Sequence, residues 1–280
     1  MNDMADDHRV PRPAPPQGAE AVADDAWAAW RAATPARIAL GRSGDALPTA
    51  ELLRFGCAHA GARDAVHASL DLDALQAQLH QQGWPVPLRV HSQAPDRATY
   101  LRRPDLGRRL EPGDARRLSE AAVAGGCDLC LVIGDGLSAV AVQRHAAPLL
   151  GALRPLLPQD LSVAPPVLAS QARVALSDDI GECLNARLAV MLIGERPGLS
   201  APDSLGLYLT FGPRMGNTDA QRNCISNVHG RGLPPAAAAA RLSWLIGAAL
   251  RRGLSGVALK DESETAVLDT SASPPGASAA

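Results

Sequence analysis

The feature that most constrains the fold is an apolar run followed by a glycine turn and then by a helical pattern. Residues 129–133 read Leu-Cys-Leu-Val-Ile, residues 134–136 read Gly-Asp-Gly, and a helical pattern covers residues 138–153. A second continuous apolar run, Leu-Ala-Val-Met-Leu-Ile, occupies residues 188–193. Apolar strands that alternate with helices are typical of a parallel sheet with both faces covered. In such sheets ligands bind beyond the carboxyl ends of the strands.

Further elements complete the predicted sheet and its helical cover. Apolar and β-branched runs predict additional strands at residues 161–164, 173–176, 207–211 and 256–259. An alanine-rich helix begins at Pro234-Pro235 and ends at Gly253, because proline favours the first turn and glycine the residue after the last. The sequence therefore predicts an α/β fold with a doubly wound, mostly parallel, Rossmann-like sheet and a helical N-terminal extension.

Composition divides the chain into four segments. Residues 1–24 are proline-rich and residues 263–280 mix serine, alanine, proline and glycine, so we expect both to be disordered tails. Residues 25–125 are predicted to form the helical extension, with short strands at 88–91 and 98–101. Residues 126–262 form the predicted α/β core.

Charge and residue counts exclude several classes of function. The net charge is −2, and only four tryptophans, two tyrosines and two phenylalanines are available to stack on bases, which disfavours nucleic-acid binding. Lys260 is the only lysine, which excludes a Walker P-loop. No apolar run reaches the roughly 20 residues that span a bilayer. The five cysteines are an odd number and the start of the chain is unlike a signal peptide, so we expect a cytoplasmic protein.

The glycine turn has the spacing of a nucleotide-binding loop. Residues 134–139, Gly-Asp-Gly-Leu-Ser-Ala, match G-x-G-x-x-A between a strand and a helix, and make Asp135 and Gly136 candidate ligand contacts. A dinucleotide site also requires an acidic residue after the next strand. Residues 161–166 read Leu-Ser-Val-Ala-Pro-Pro, so that residue is missing. A dinucleotide-binding oxidoreductase is therefore the alternative function, and a plain tight turn is the alternative to any site.

The cysteines do not form a recognisable metal site. Cys127 and Cys130 have C-x-x-C spacing, but Cys130 lies within an apolar run and no second pair follows, so we interpret both as core residues. Cys224 is different because it lies in a polar segment that we interpret as a loop. We predict no metal site.

Two polar clusters lie near the predicted carboxyl edge. Glu195 and Arg196 directly follow the apolar run that ends at Ile193, where a carboxylate can accept hydrogen bonds from a ligand or brace a loop. Residues 100–110 concentrate arginines around one aspartate. This cluster can bind a phosphate or carboxylates, or it can form ion pairs on the surface or with a partner. Its members are Arg102, Arg103, Arg108, Arg109 and Asp105.

Five segments resemble, in the same order, motifs of the small subunit of ethanolamine ammonia-lyase. The most specific is IGERPGLSAPDSLG at residues 193–206, followed by Tyr208 and by Gly-Pro-Arg at 212–214. The other segments are TPARIALGRSG at 34–44, LRRPDLGRR at 101–109, GDGLS at 134–138 and RNCISNVH at 222–229. Each motif is short, but the ordered set is specific and covers roughly residues 34–260.

The resemblance implies a cofactor and a partner. In this family adenosylcobalamin lies between the small subunit and a large TIM-barrel subunit, which carries the catalytic residues. By resemblance, Val174, Glu195 and Cys224 would contact the cobalamin, which makes residues 126–262 the cobalamin-contacting core. Asp135, Gly136 and Arg196 are further candidates. The chain lacks D-x-H-x-x-G, the motif that replaces the lower base of the cofactor with histidine, so the resemblance implies base-on binding.

The implied reaction converts ethanolamine to acetaldehyde and ammonia, with activity only in a hetero-oligomer with the large subunit. A non-catalytic scaffold subunit is a further alternative. The resemblance leaves open the stoichiometry of the complex and whether it is free in the cytoplasm or enclosed in a bacterial microcompartment. The proline-rich start lacks the amphipathic period of an encapsulation peptide, which favours the cytoplasm.

Overall fold

A computed structural model of the chain describes residues 27–34 and 36–263. The chain divides into two compact units, Met1–Leu53 and Arg54–Ala280. The described part of the first unit contains helix α1 (Ala28–Ala32), an antiparallel bridge between Ser43 and Ala46, and the start of helix α2 (Thr49–His67). Both predicted tails lie almost wholly outside the described residues, and the predicted boundary between residues 125 and 126 stays a prediction.

The second unit holds six strands and most of the helices. In chain order they are α3 (Leu72–Gln81), β1 (Leu88–His91), α4 (Arg97–Arg102), α5 (Pro112–Ala121), β2 (Cys127–Gly134), α6 (Ala139–Leu153), β3 (Val167–Ser170), α7 (Leu176–Cys183), β4 (Ala186–Gly194), β5 (Leu205–Phe211), β6 (Arg222–Val228) and α8 (Pro235–Arg252). Short 3-10 helices lie at Leu106–Arg108, Arg154–Leu156, Asp219–Gln221 and Gly256–Ala258. No helix in the described ranges is both long and apolar enough to cross a membrane.

The six strands form one mixed sheet in the order β1-β3-β2-β4-β5-β6. β1, β3, β2 and β4 are parallel to one another, whereas β5 pairs antiparallel with β4 and β6 pairs antiparallel with β5. The predicted α/β fold is confirmed. The finer description as a doubly wound, mostly parallel, Rossmann-like sheet is not confirmed, because the chain turns back after β4 and adds two antiparallel strands.

Alternate residues of the central strands point to two separate buried clusters. Leu129, Leu131 and Ile133 pack with α3, α6 and α8 on one face, while Cys130 and Val132 pack with α5 and α7 on the other. Because a strand directs successive side chains to opposite faces, a run that is apolar at every position is required where both faces are covered. The interpretation of Cys127 and Cys130 as core residues is confirmed by their burial.

Local signals fix the ends of α6 and α8, two long helices that pack on the sheet. The Ser138 side chain accepts a hydrogen bond from the Ala141 N–H at 3.2 Å, which caps α6. α8 begins with Pro235 and ends at Gly253, whose φ of 69° is in the left-handed region. Strand β1 and both of these helices agree with the predictions.

Four of the predicted strands are wrong. Residues 98–101 lie in α4, because the Asp96 carboxylate caps that helix by accepting from the Thr99 N–H at 2.7 Å. β3 lies at Val167–Ser170, so neither 161–164 nor 173–176 forms a strand. Residues 256–259 do not return to the sheet, because the Asn223 side chain bonds both the N–H and the C=O of Gly256, which holds a 3-10 turn.

The segment that carries Cys224 is the edge strand β6 rather than a loop. Its buried residues, Arg222, Ile225 and Val228, are separated by positions that are exposed or, at Asn223, half-buried. An edge strand of this kind pairs on one side only, so its polar positions need not alternate regularly with apolar ones. The polar composition therefore concealed a strand.

Candidate functional site

Cross-strand pairs place two rows of side chains on the face of the sheet that α7 covers. Thr210 lies opposite both Ala189 and Arg222, and Tyr208 lies opposite both Met191 and Cys224, one step closer to the carboxyl end of β4. α7 covers the first row. In the second row Met191 is buried, Tyr208 is half-buried and Cys224 is exposed, so the sheet face opens beyond the helix.

An ion pair fixes the covered row. The Arg222 guanidinium donates two hydrogen bonds to the Asp178 carboxylate at 2.7 and 2.6 Å and a third to the Thr210 hydroxyl at 3.0 Å. The side chains of Asp178 and Arg222 are each 2% exposed. Because Asp178 belongs to α7 and Arg222 to β6, this pair joins the helix to the edge of the sheet beneath Cys224.

Tyr208 and Cys224 lie directly opposite each other on β5 and β6, and the side chain of each affects the pKa of the other. Partial burial raises the pKa of the Cys224 thiol above its ordinary value, although the tyrosine hydroxyl opposes this shift. Burial also raises the pKa of Tyr208. Both groups are therefore neutral at pH 7, which suits packing and hydrogen bonding rather than nucleophilic attack.

Glu195 extends from the end of β4 over the same face. Its Oε2 atom accepts a hydrogen bond from the Ser204 hydroxyl at 2.5 Å, and its carboxylate lies 3.4 Å from the Asn227 backbone N. Gly206, opposite Ile193, lies beneath it, and a Cβ atom at Gly206 would be 2.9 Å from the Glu195 Oε1 atom. The carboxylate is thus held at a fixed place above a position without a side chain.

Val174 lies at the start of α7, in the segment that follows β3. Its side chain packs against the same buried cluster as Tyr208. Its carbonyl oxygen accepts hydrogen bonds from the N–H and the hydroxyl of Ser177. Its N–H makes no hydrogen bond within the described ranges. We call the surface formed by Val174, Glu195, Gly206, Tyr208 and Cys224 the shelf. The three residues implied by the resemblance thus lie on one face of the sheet, with Glu195 and Cys224 near the carboxyl end of β4 and Val174 beyond the carboxyl end of β3.

Asp135 and Gly136 do not lie on this surface. The Asp135 carboxylate accepts hydrogen bonds from the N–H groups of Gln171 and Ala172, both at 2.9 Å. Gly136 has a φ of 58°, and a Cβ atom there would be 2.3 Å from the Gly194 carbonyl oxygen. The turn therefore packs against the protein's own backbone where a phosphate would have to lie, so the dinucleotide alternative is not supported.

The arginine cluster is spread over several contacts. Arg103 pairs with Asp105 at the surface, Arg102 donates to the Ala98 carbonyl oxygen, and Arg109 lies 3.9 Å from Asp179. Arg108 is exposed, as is Arg196 beside Glu195. Among the described residues, no group of three or more His, Cys, Asp or Glu side chains is placed to hold a metal ion.

Sequence reasoning assigned no role to Tyr208, Ser204, Gly206 or the Asp178–Arg222 pair. Tyr208 and Gly206 occupy alternate positions of β5, and this spacing indicates that they share a face. No comparable signal exists for the ion pair, whose partners are 44 residues apart.

Comparison with known proteins matches this chain to one family. Residues 24–260 match the model of the ethanolamine ammonia-lyase light chain. The chain belongs to the ethanolamine ammonia-lyase light-chain family. A small subunit from Azotobacter vinelandii is 57% identical over 256 residues, which cover 90% of this chain and 94% of that protein. The small subunit from Ralstonia nicotianae is 56% identical (89% and 93% covered), and that from Pseudomonas putida is 52% identical (94% and 94% covered).

Membership of the light-chain family confirms the resemblance found in the sequence. The relatives are named as small subunits, and that name implies that those proteins have a larger partner. An open, partly apolar surface at the carboxyl edge of the sheet is where such a subunit can contribute to a shared site.

Proposed function

We propose that the chain is the small subunit of an adenosylcobalamin-dependent ethanolamine ammonia-lyase and holds the cofactor at its interface with the large subunit. The observation that carries this proposal is the shelf, where a backbone N–H donor, a fixed carboxylate, the half-buried Tyr208 and the exposed Cys224 lie on one open sheet face. The overall reaction would convert ethanolamine to acetaldehyde and ammonia.

The chemistry of the shelf suits a cobalamin, whose corrin is a broad apolar ring edged with amides. The Glu195 carboxylate can accept hydrogen bonds from amide N–H groups, and the Val174 N–H can donate one to an amide oxygen. Tyr208 and Cys224 offer a flat, largely apolar contact, and the missing side chain at Gly206 leaves the space that the Glu195 side chain occupies. When bound, adenosylcobalamin would supply the radical chemistry that begins with cleavage of its cobalt–carbon bond.

The role proposed for this chain is to bind and orient the cofactor rather than to act on the substrate. The shelf is open on one side, so a cofactor bound to this chain alone would remain exposed to water. A large subunit closing over it would exclude that water and bring the substrate-handling residues. We therefore propose that the catalytic residues lie on the large subunit, that the cofactor is bound base-on, and that the cytoplasmic complex is a hetero-oligomer.

The test is adenosylcobalamin-dependent formation of acetaldehyde from ethanolamine, measured with this chain alone, with its large subunit alone, and with the two co-expressed. We expect activity only in the co-expressed sample. Association without turnover would contradict the proposed reaction. Full activity of the large subunit alone would contradict the proposed role of this chain.

Replacing Glu195 with glutamine is expected to weaken the binding of adenosylcobalamin to the co-expressed complex by about tenfold. A charge-assisted hydrogen bond contributes about 1.5–3 kcal/mol, and glutamine retains only one neutral acceptor oxygen. The measurement is a titration followed by cobalamin absorbance. Glu120→Gln, on the exposed surface of α5, is the matched control and should bind as the parent does. Parental affinity in Glu195→Gln would remove the carboxylate from the site.

Replacing Gly206 with alanine is expected to leave the protein folded but to weaken cobalamin binding by about tenfold. The new Cβ atom would be 2.9 Å from the Glu195 Oε1 atom and 3.3 Å from the Tyr208 ring, so the Glu195 carboxylate must leave its place while the backbone need not move. Cofactor titration and thermal unfolding of the same samples separate the two effects. A large loss of stability with unchanged affinity would contradict this prediction. Affinity equal to the parent's would show that cobalamin binding does not depend on the place of the Glu195 carboxylate.

A further inference from the structure

Most of the segment that connects β3 to α7, residues 171–175, is held by side chains and backbone from other parts of the fold. It contains no regular hydrogen-bond ladder of its own. Gln171 has a φ of 54°, a left-handed conformation that non-glycine residues seldom adopt and that the surrounding contacts must maintain. The segment leads directly to Val174, so its position determines where Val174 lies on the shelf.

Asp135 holds one side of this segment. Its two carboxylate oxygens accept from two consecutive backbone donors, Oδ2 from the Gln171 N–H and Oδ1 from the Ala172 N–H, both at 2.9 Å. Arg97 lies 3.8 Å from Oδ2 and donates to the Gly136 carbonyl oxygen at 2.8 Å. Asp135 is 7% exposed, and burial raises its pKa although these N–H donors oppose the shift. Burying a carboxylate is costly unless its oxygens accept hydrogen bonds, and here both oxygens accept one.

Tyr100 and Gly107 hold the other side. The Tyr100 hydroxyl donates to the Ala172 carbonyl oxygen at 3.0 Å, and the Arg173 N–H donates to the Gly107 carbonyl oxygen at 2.8 Å. The Arg97 and Arg173 guanidinium carbons lie 4.7 and 4.2 Å from the centre of the Tyr100 ring. The three residues before Val174 are therefore held by hydrogen bonds from both sides. The Val174 N–H itself makes no hydrogen bond in the described part of the chain.

We infer that Asp135 is a positioning residue of the cobalamin site, which fixes residues 171–173 so that the Val174 N–H and side chain face the cofactor. This inference rests on the proposed function, because it concerns the same shelf. It assigns Asp135 an indirect role in place of the direct ligand contact that the sequence suggested. The carboxylate is required because two adjacent N–H donors need two acceptors, and asparagine supplies only one.

The test uses the co-expressed complex with Asp135→Asn. Hydrogen exchange of the peptide containing Gln171 and Ala172 is measured without cofactor, the affinity for adenosylcobalamin is measured by absorbance titration, and KM for ethanolamine and kcat are measured at saturating cofactor. We expect about tenfold faster exchange and about tenfold weaker cofactor binding. KM for ethanolamine and kcat should stay within about twofold of the parent values, because the substrate-handling residues are not altered.

Two further variants make the result specific. Tyr100→Phe removes only the hydroxyl that donates to Ala172 and keeps the ring, so it should weaken cofactor binding by about threefold even if Asp135→Asn fails to fold. Asp128→Asn is the matched control, because Asp128 at the other end of β2 also accepts from a loop N–H, that of Ser162 at 3.1 Å, and lies away from the shelf. It should leave cofactor binding unchanged.

The outcomes separate this inference from the proposed function. Faster exchange in Asp135→Asn with parental cofactor affinity would overturn the positioning role, while weaker binding in Glu195→Gln and Gly206→Ala would keep the proposed function. A loss of affinity in Asp128→Asn equal to that in Asp135→Asn would also overturn it, since the effect would then reflect general destabilisation. Parental affinity in all of the shelf variants would overturn the proposed function itself.

Discussion

Replacing Arg222 with methionine is expected to destabilise the chain by about 3–5 kcal/mol, the cost of removing one partner from a buried ion pair. Arg222 donates two hydrogen bonds to Asp178, and both side chains are 2% exposed. Without the guanidinium, the carboxylate on α7 would remain in the protein interior without its opposite charge. The loss would also release β6, which carries Cys224.

The loss of stability expected for Arg222→Met depends on pH in a defined direction. Burial raises the pKa of Asp178 above the ordinary aspartate value, and Arg222 opposes this shift. In the variant the folded-state pKa would rise further above the unfolded-state value, so the folded protein would bind the proton more tightly. The destabilisation should therefore be largest above the folded-state pKa and should shrink as the pH falls through it.

The measurement is denaturant unfolding of the full-length chain at several pH values. Arg103→Met is the matched control, because the Arg103–Asp105 pair is solvent-exposed and such pairs contribute about 0–1 kcal/mol. Replacing both partners, Asp178→Leu with Arg222→Met, should restore much of the lost stability, since no uncompensated charge remains. A loss below about 1 kcal/mol, or one that is independent of pH, would contradict the described pair.

Replacing Gly194 with alanine is expected to cost about 3 kcal/mol or more, at or above the upper end of the usual range for overpacking. A Cβ atom at Gly194 would be 2.0 Å from the Ser138 carbonyl oxygen and 2.7 Å from that of Asp135. These atoms belong to the backbone of the turn and of the α6 N-cap, so they cannot move independently. The close approach of Gly136 and Gly194 explains the second glycine of the Gly-Asp-Gly turn, and a Cβ atom at the first, Gly134, would be 2.7 Å from the Ala172 Cβ atom.

Gly198→Ala is the matched control in the segment that follows β4. A Cβ atom there would meet no neighbour closer than the Ala201 carbonyl oxygen at 3.5 Å. We therefore expect the free energy of unfolding to change by no more than about 0.5 kcal/mol. Denaturant unfolding of the two variants beside the parent gives the comparison. If Gly194→Ala unfolds at the same denaturant concentration as Gly198→Ala, the backbones of the turn and of β4 are not in contact as described.

Sequence alone determined the centre of the sheet and the family. β2 and β4 are apolar at nearly every position, so their strand character follows from burial on both faces. Ser138 and Gly253 set helix ends through local backbone chemistry that the sequence shows directly. The ordered motifs identified the family, which the comparisons confirm over residues 24–260. The roles of Val174, Glu195 and Cys224 stay predictions, although the structure places all three on one face.

Only the tertiary structure decided the direction of the last strands and the contacts that build the shelf. A parallel and an antiparallel strand bury the same apolar pattern, so composition could not show that β5 and β6 turn back against β4. The polar edge strand β6 gave no clear alternation. Asp135 binds the backbone of Gln171 and Ala172, and Asp178 pairs with Arg222. These partners lie 36 to 44 residues apart, and only packing of the whole chain brings them together. Local signals fix elements, whereas the position of a side chain in a site depends on contacts between distant segments.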